Sequence, residues 1–161
     1  LQKSVPRAPS APEPKMTESA SYRFSVRDTA VTYLAEVKTG GSLWQISLRI
    51  PECSLIESIE VIDSSEEQVT FQKGEEASLV HLFFDEALHG IYRIRLTLRT
   101  TAGETFPLVG ILDIPAENAE IDFECAEDLY SQFTSPEDWT SLPAAQGRKR
   151  WGLRIPPAAR L

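Results

Sequence analysis

The sequence predicts a mainly β protein built as an antiparallel β-sandwich. The stretch Ile91–Arg99 alternates strictly, with Tyr92, Ile94, Leu96 and Leu98 on one side and Arg93, Arg95, Thr97 and Arg99 on the other. A period of two means a strand with one buried and one wet face. Seven or more such runs recur along the chain, spaced by roughly 8–12 residues with turn signals between them. No long helical period interrupts them.

The elements follow in order. Residues 1–20 carry Pro6, Pro9, Pro12 and Pro14 among Ala, Ser, Lys and Glu. Such a composition buries too little surface to fold alone and favours an extended tether. Tyr22–Val26 alternates as a first short strand, and Val31–Lys38 follows with Val31, Tyr33, Ala35 and Val37 on one face. Thr39-Gly40-Gly41-Ser42 reads as a turn, because adjacent glycines supply positive φ. Leu43–Ile50 places Trp44, Ile46, Leu48 and Ile50 inward, and Pro51 ends it because proline cannot donate to a ladder.

Ile56–Ile62 comes next, closed by the polar run Asp63-Ser64-Ser65-Glu66-Glu67. Val69–Gln72 is short, and Lys73-Gly74-Glu75-Glu76 reads as the turn into Ser78–Phe84. In that strand Val80, Leu82 and Phe84 face the core while Leu79 and Phe83 face outward, and an apolar outer face calls for a cover. Ile91–Arg99 follows a short loop. Ala102-Gly103-Glu104 turns the chain into Thr105–Ile114, Pro115 ends that run, and Ala119–Phe123 forms one more short strand.

Beyond Cys125 the pattern changes. Leu129, Tyr130 and Phe133 fall at helical spacing, and Ser135-Pro136-Glu137-Asp138 has the look of a helix start. The expected organisation is a tether over 1–20, a sandwich over 21–125, short helices over 126–142 and a basic arm over 143–161. The arm is expected to lack regular structure except for a short extended piece at Trp151–Ile155.

Charge is unevenly divided. The net −8 conceals +2 in residues 1–15, −15 in 16–142 and +5 in 143–161. An acidic body with basic ends speaks to partners and solubility rather than to fold. The −15 of the body argues against a nucleic-acid footprint, which needs many cations against phosphates. No apolar run is long enough for a helix to span a bilayer. The chain begins Leu1-Gln2-Lys3 without an initiator Met, which reads as a trimmed, mature start. Cys53 and Cys125 are too few for a disulfide scaffold or a metal site; they are either two free thiols or one pair.

The segment Ala87-Leu88-His89-Gly90-Ile91-Tyr92, with Leu96-Thr97-Leu98 and Thr101-Ala102-Gly103 after it, resembles the entry to strand F of immunoglobulin-like domains, including the bacterial and fibronectin-III-like forms. The resemblance implies that the Tyr92 hydroxyl bonds back to the backbone at the corner between strands. The strands matching B and F, 43–50 and 91–99, carry no cysteine, so the inter-sheet bridge of antibody domains is absent. The same mapping brings Cys53 and Cys125 to one end of the sandwich. A bridge there would close a loop of about 70 residues, worth roughly 3–5 kcal/mol in the entropic account.

Sites of chemistry are sparse. His81 and His89 are the two histidines, and neither has evident partner ligands in the sequence. The acidic turn Asp63–Glu67 lacks the spacing and glycine of a calcium loop. No nucleophile elbow or phosphate-cradling glycine loop is present. No catalytic, cofactor-binding or metal residue is therefore assigned. Arg93, Arg95 and Arg99 are expected to pair with Glu57, Glu60 or Glu104 on neighbouring strands.

The basic arm mixes Arg148, Lys149, Arg150 and Arg154 with Trp151, Leu153 and Ile155. It suits docking on the acidic body of another copy or another subunit, with Trp151 as anchor, and a membrane surface is the other partner it could meet. The expectation is a non-enzymatic structural or protein-interaction module of an extracytoplasmic assembly, secreted or on the cell surface. The alternative is a ligand-binding module, for instance for carbohydrate, which needs exposed aromatics on one sheet face; Trp44 and Tyr33 are expected to be buried.

Overall fold

The structure, a computed structural model, describes residues 13–52, 54–101, 108–126, 140–141 and 150–155. These residues form one curled mixed β-sheet and no helix. Its strands are β1 (Lys15–Phe24), β2 (Asp28–Arg49), β3 (Leu55–Asp63), β4 (Phe71–Glu76), β5 (Leu79–Thr101), β6 (Gly110–Ile111), β7 (Ala116–Cys125), β8 (Thr140–Ser141) and β9 (Arg150–Ile155). The hydrogen-bonded order is β3-β5-β2-β1-β7-β9-β8, with β4 joined to β5 and β6 to β2.

Two long strands organise the molecule. β2 spans 22 residues and β5 spans 23, and they pair antiparallel from Asp28↔Thr101 to Arg49↔Leu79. The sequence predicts each of them as two shorter strands. The turn expected at Thr39–Ser42 and the loop expected before Ile91 are both irregular steps inside continuous strands. Thr39 faces Gly90, Leu43 faces Leu88 and Gln45 faces Phe83, so the ladder slips twice within a few residues. Extra residues on both strands at one level bend the pair as a unit, as bulges do. Gly90 takes part with φ +116°, a conformation that side chains rarely adopt.

The bend folds the sheet over a single core. The first half of β2 pairs with β1 and the second half with β6; the second half of β5 pairs with β3 and the first half with β4. Val31, Tyr33, Leu96 and Ile94 on one side of the bend, and Ile46, Leu48, Val80 and Leu82 on the other, are fully buried in one cluster. Tyr33 accepts a hydrogen bond from the Ile111 amide at 3.3 Å, and Ile111 is the β6 partner of Leu48. The two halves therefore face each other, and one sheet does the covering expected of two.

The sheet is mixed rather than purely antiparallel. β1 runs parallel to β7, from Met16↔Ala116 to Phe24↔Cys125. β1 also starts at Lys15, inside the segment expected to be a tether, because Met16, Ala20 and Tyr22 recur on one face and are buried. β4 likewise runs through Lys73–Glu76, and the turn comes afterwards at Ala77–Ser78. Residues 127–139 of the expected helical segment lie outside the described residues, and Thr140–Ser141 at its end is the strand β8. Gly103 and Glu104 lie outside them too.

Candidate functional site

The most distinctive surface lies on the outward side of the second half of the sheet. Alternation predicts Trp44 on the inner face with Ile46 and Leu48. The register shift between Leu43 and Gln45 breaks that alternation and leaves Trp44 57% exposed. A bulge is a device that re-aims a side chain in this way. Across the ladder from Gln45 stands Phe83, 44% exposed.

Gly74 shapes the same face. It pairs with His81, and a Cβ at this position would meet the Phe83 ring at 3.2 Å. An aromatic ring leaning over a strand glycine restores packing that the glycine lacks. This contact explains why Gly74 sits in a strand and not in the expected turn. Among the described residues nothing covers Phe83 completely.

A polar row crosses the face beside the rings. The Ser47 hydroxyl lies 2.8 Å from His81 Nδ1, and Gln45 Nε2 lies 3.4 Å from both. Which of these groups donates follows the tautomer of the His81 ring. Nε2 faces Glu76 Oε2 at 3.9 Å. The Ser47 amide donates to Asp113 Oδ2 at 3.1 Å, and the Ser47 carbonyl accepts from the Leu112 amide at 2.9 Å. Both backbone groups of Ser47 are thereby used. Beside Glu76 a cavity of about 220 Å³ is lined by Ile50, Ser54, Ile56, Glu75, Glu76 and Ala77.

The positions singled out in the sequence are scattered. Tyr92 Oη donates to the His89 carbonyl at 2.9 Å and accepts from the His89 amide at 2.8 Å, spanning the Gly90 step inside β5. Arg99 pairs with Glu57, as expected, and with Asp28 at 3.2 Å. Arg93 reaches Glu66 at 2.5 Å, and Arg95 stands opposite Glu60 in the register. Asp63 uses its carboxylate to hold the amides of Ser65 and Glu67, at 2.8 and 3.0 Å.

Cys125 ends β7 and carries a free thiol, while Cys53 lies outside the described residues. The pairing raised for Cys53 and Cys125 falls outside the described residues.

Part of the basic arm is built into the chain's own sheet. β9 pairs with β7 from Ala119↔Ile155 to Glu124↔Arg150, Leu153 is buried, and Arg154 bonds Glu120 at 2.9 Å. Arg150 and Trp151 take part through their backbones; Arg148 and Lys149 lie outside the described residues.

No known protein family and no curated protein matches the sequence. Solved structures do share the fold. An M1 zinc metallopeptidase from Deinococcus radiodurans, bound to a Tyr-Ser-Ala substrate, matches with a TM-score of 0.51 at 9% identity, over 89% of this chain and 39% of that one. A two-domain M1 zinc metallopeptidase bound to L-tryptophan matches with a TM-score of 0.51 at 10% identity, over 90% of this chain and 39% of that one. The chain thus spans 39% of the length of either peptidase. At such identity the likeness is one of β-rich fold alone.

Proposed function

We propose that this chain is a non-enzymatic protein-interaction module of an extracytoplasmic assembly, and that it meets its partner through the face around Trp44 and Phe83. One observation carries the reading: the bulge at Leu43–Gln45 turns the largest side-chain type outward beside a second exposed aromatic. Tryptophan is the residue most enriched where interfaces concentrate their binding energy. Exposed apolar groups gathered around one face mark contact surfaces more than scattered ones do.

The tails have a smaller part in this proposal than the sequence suggested, because β9 and Arg154 are engaged within the chain. An immunoglobulin-like kinship remains part of it, supported by the Gly90-Ile91-Tyr92 step and the Tyr92–His89 bonds. The peptidase activity of the similar structures is not carried over.

Native electrophoresis of extracts tests the reading, comparing the wild-type chain with Trp44→Ala. The wild type migrates in an assembly larger than the purified chain, and the variant is released from it. Migration of both at the size of the purified chain overturns the proposal. Cell fractionation tests the location.

A second reading has its own support. An exposed Trp44 beside the Gln45 amide and Ser47–His81 row is the surface that a carbohydrate-binding module requires, since sugar rings stack on aromatics and bond to amides. A glycan array read with wild type and Trp44→Ala tests it; signal that survives the substitution rules it out.

A further inference from the structure

We infer that the Trp44–Phe83 face recognises a basic, extended peptide segment, one that presents arginine or lysine side chains. The inference rests on the protein-interaction reading and names the chemistry of the partner.

Charge is the first ground. Glu76 lies beside His81, and Asp113 is anchored by the Ser47 amide. Asp85 is exposed two residues beyond Phe83, on the same side of β5 by strand parity. Lys73, opposite Leu82, is engaged with Glu75 at 2.7 Å, and Arg49 stands at the end of β2, opposite Leu79. The face is therefore net acidic around two exposed rings. Such rings attract a cation held over them, and the carboxylates repel a phosphate or an acidic segment.

Shape is the second ground. The cavity of about 220 Å³ beside Glu76 joins Ile50, Ile56 and Ala77 to the carboxylate of Glu76, while the Glu75 carboxylate on its rim is engaged with Lys73. An arginine or lysine stem lies on apolar groups of this kind while its head stays among charges and water.

The chain supplies a precedent in cis. β9 carries the alternating run Arg150-Trp151-Gly152-Leu153-Arg154-Ile155 and docks on β7, where Glu120 faces Arg154 and Glu124 faces Arg150. The acidic body already accepts one basic, apolar strand.

The test titrates the full chain with two acetylated heptapeptides, one alternating arginine with leucine and one alternating glutamate with leucine. Amide chemical shifts are followed by NMR. The arginine peptide shifts Gln45, Ser47, His81 and Phe83. Its affinity falls by roughly three- to fivefold in Trp44→Ala, and falls again between about 0.05 M and about 0.5 M salt. A double substitution, Glu76→Gln with Asp85→Asn, weakens it without touching either ring. Equal binding of the glutamate peptide overturns the basic partner and leaves the interaction reading intact. Shifts confined to β7 and β9 overturn the site. Absence of arginine-peptide binding overturns the inference, while the native-gel comparison still judges the interaction reading. Binding of cellohexaose with the same map, and of neither peptide, transfers the face to the carbohydrate reading.

Discussion

The amide of Val109 donates a hydrogen bond to the phenol oxygen of Tyr22 at 2.8 Å, across 87 positions of sequence. Both groups are buried. Together with Tyr33 and Ile111 this bond ties the incoming 108–111 segment to the inner face of β1 and β2. Two tyrosines that alternation marks as core residues thus also supply hydrogen bonds that the backbone of Val109 and Ile111 needs inside a core.

Replacing Tyr22 by Phe leaves the Val109 amide without that acceptor while keeping the ring. An unsatisfied buried donor costs about 1–3 kcal/mol. Urea denaturation of Tyr22→Phe is expected to show a loss of that size with an unchanged m-value.

Gly90→Ala isolates a backbone effect. A Cβ at this position meets nothing within 4 Å, so no clash contributes. The conformation at φ +116° remains, and holding an alanine there costs about 1–3 kcal/mol. Denaturation midpoints check it. Because Gly90 lies where β2 and β5 bend, the Tyr92–His89 bonds are expected to weaken as well.

Trp44→Ala and Ile46→Ala, two residues apart, are expected to separate function from stability. Trp44 is exposed, and its loss stays within about 0.5 kcal/mol of wild-type stability. Ile46 is fully buried, and its loss costs about 2–5 kcal/mol. Thermal melts of both variants check the contrast.

Arg99 is predicted to act with a specific pH and salt signature. Its hydrogen bonds to Glu57 first, and to Asp28 second, hold the guanidinium above its usual range. A raised folded-state pKa gives stability that is fully present below the unfolded pKa and is lost as pH rises through the folded pKa. That window lies in strongly alkaline solution. The difference between wild type and Arg99→Gln is therefore expected to be equal at about pH 7 and about pH 9. It shrinks near 1 M salt, where screening acts within about 3 Å. Melts over that grid check both statements.

Removing residues 143–161 takes away β9 and opens the edge of β7 along Ala119–Glu124. It also uncovers the surface against which Leu153 is buried. Open apolar edges invite pairing with other chains. Light scattering of the truncated chain is expected to show self-association and its melting temperature to fall; a monomer of unchanged stability contradicts this.

Much of the strand content was legible. Val31, Tyr33, Ala35 and Val37, and Ile94, Leu96 and Leu98, are buried as their alternation predicts. The candidate face was not legible, because Trp44 obeys the same alternation in sequence and escapes it only through a bulge. That bulge depends on the opposite strand, and local pattern carries no record of a partner. Gly74 misled for a related reason: a glycine in a polar run signals a turn, and only the Phe83 ring across the ladder shows its other use.

The sequence by itself determined that the chain is mainly β, which faces of its strands are apolar, and that one strand carries an arginine stripe. Those properties are local: a period of two and the sign of a charge hold wherever the strand is placed. The tertiary structure alone decided that β2 and β5 run through their glycines, that β1 lies parallel to β7, and that one sheet bends over its own core. Each depends on residues far apart in the chain meeting at one level, as Thr39 meets Gly90 and Tyr33 meets Ile111. The outward turn of Trp44 belongs to that second kind, since a bulge exists only between two strands.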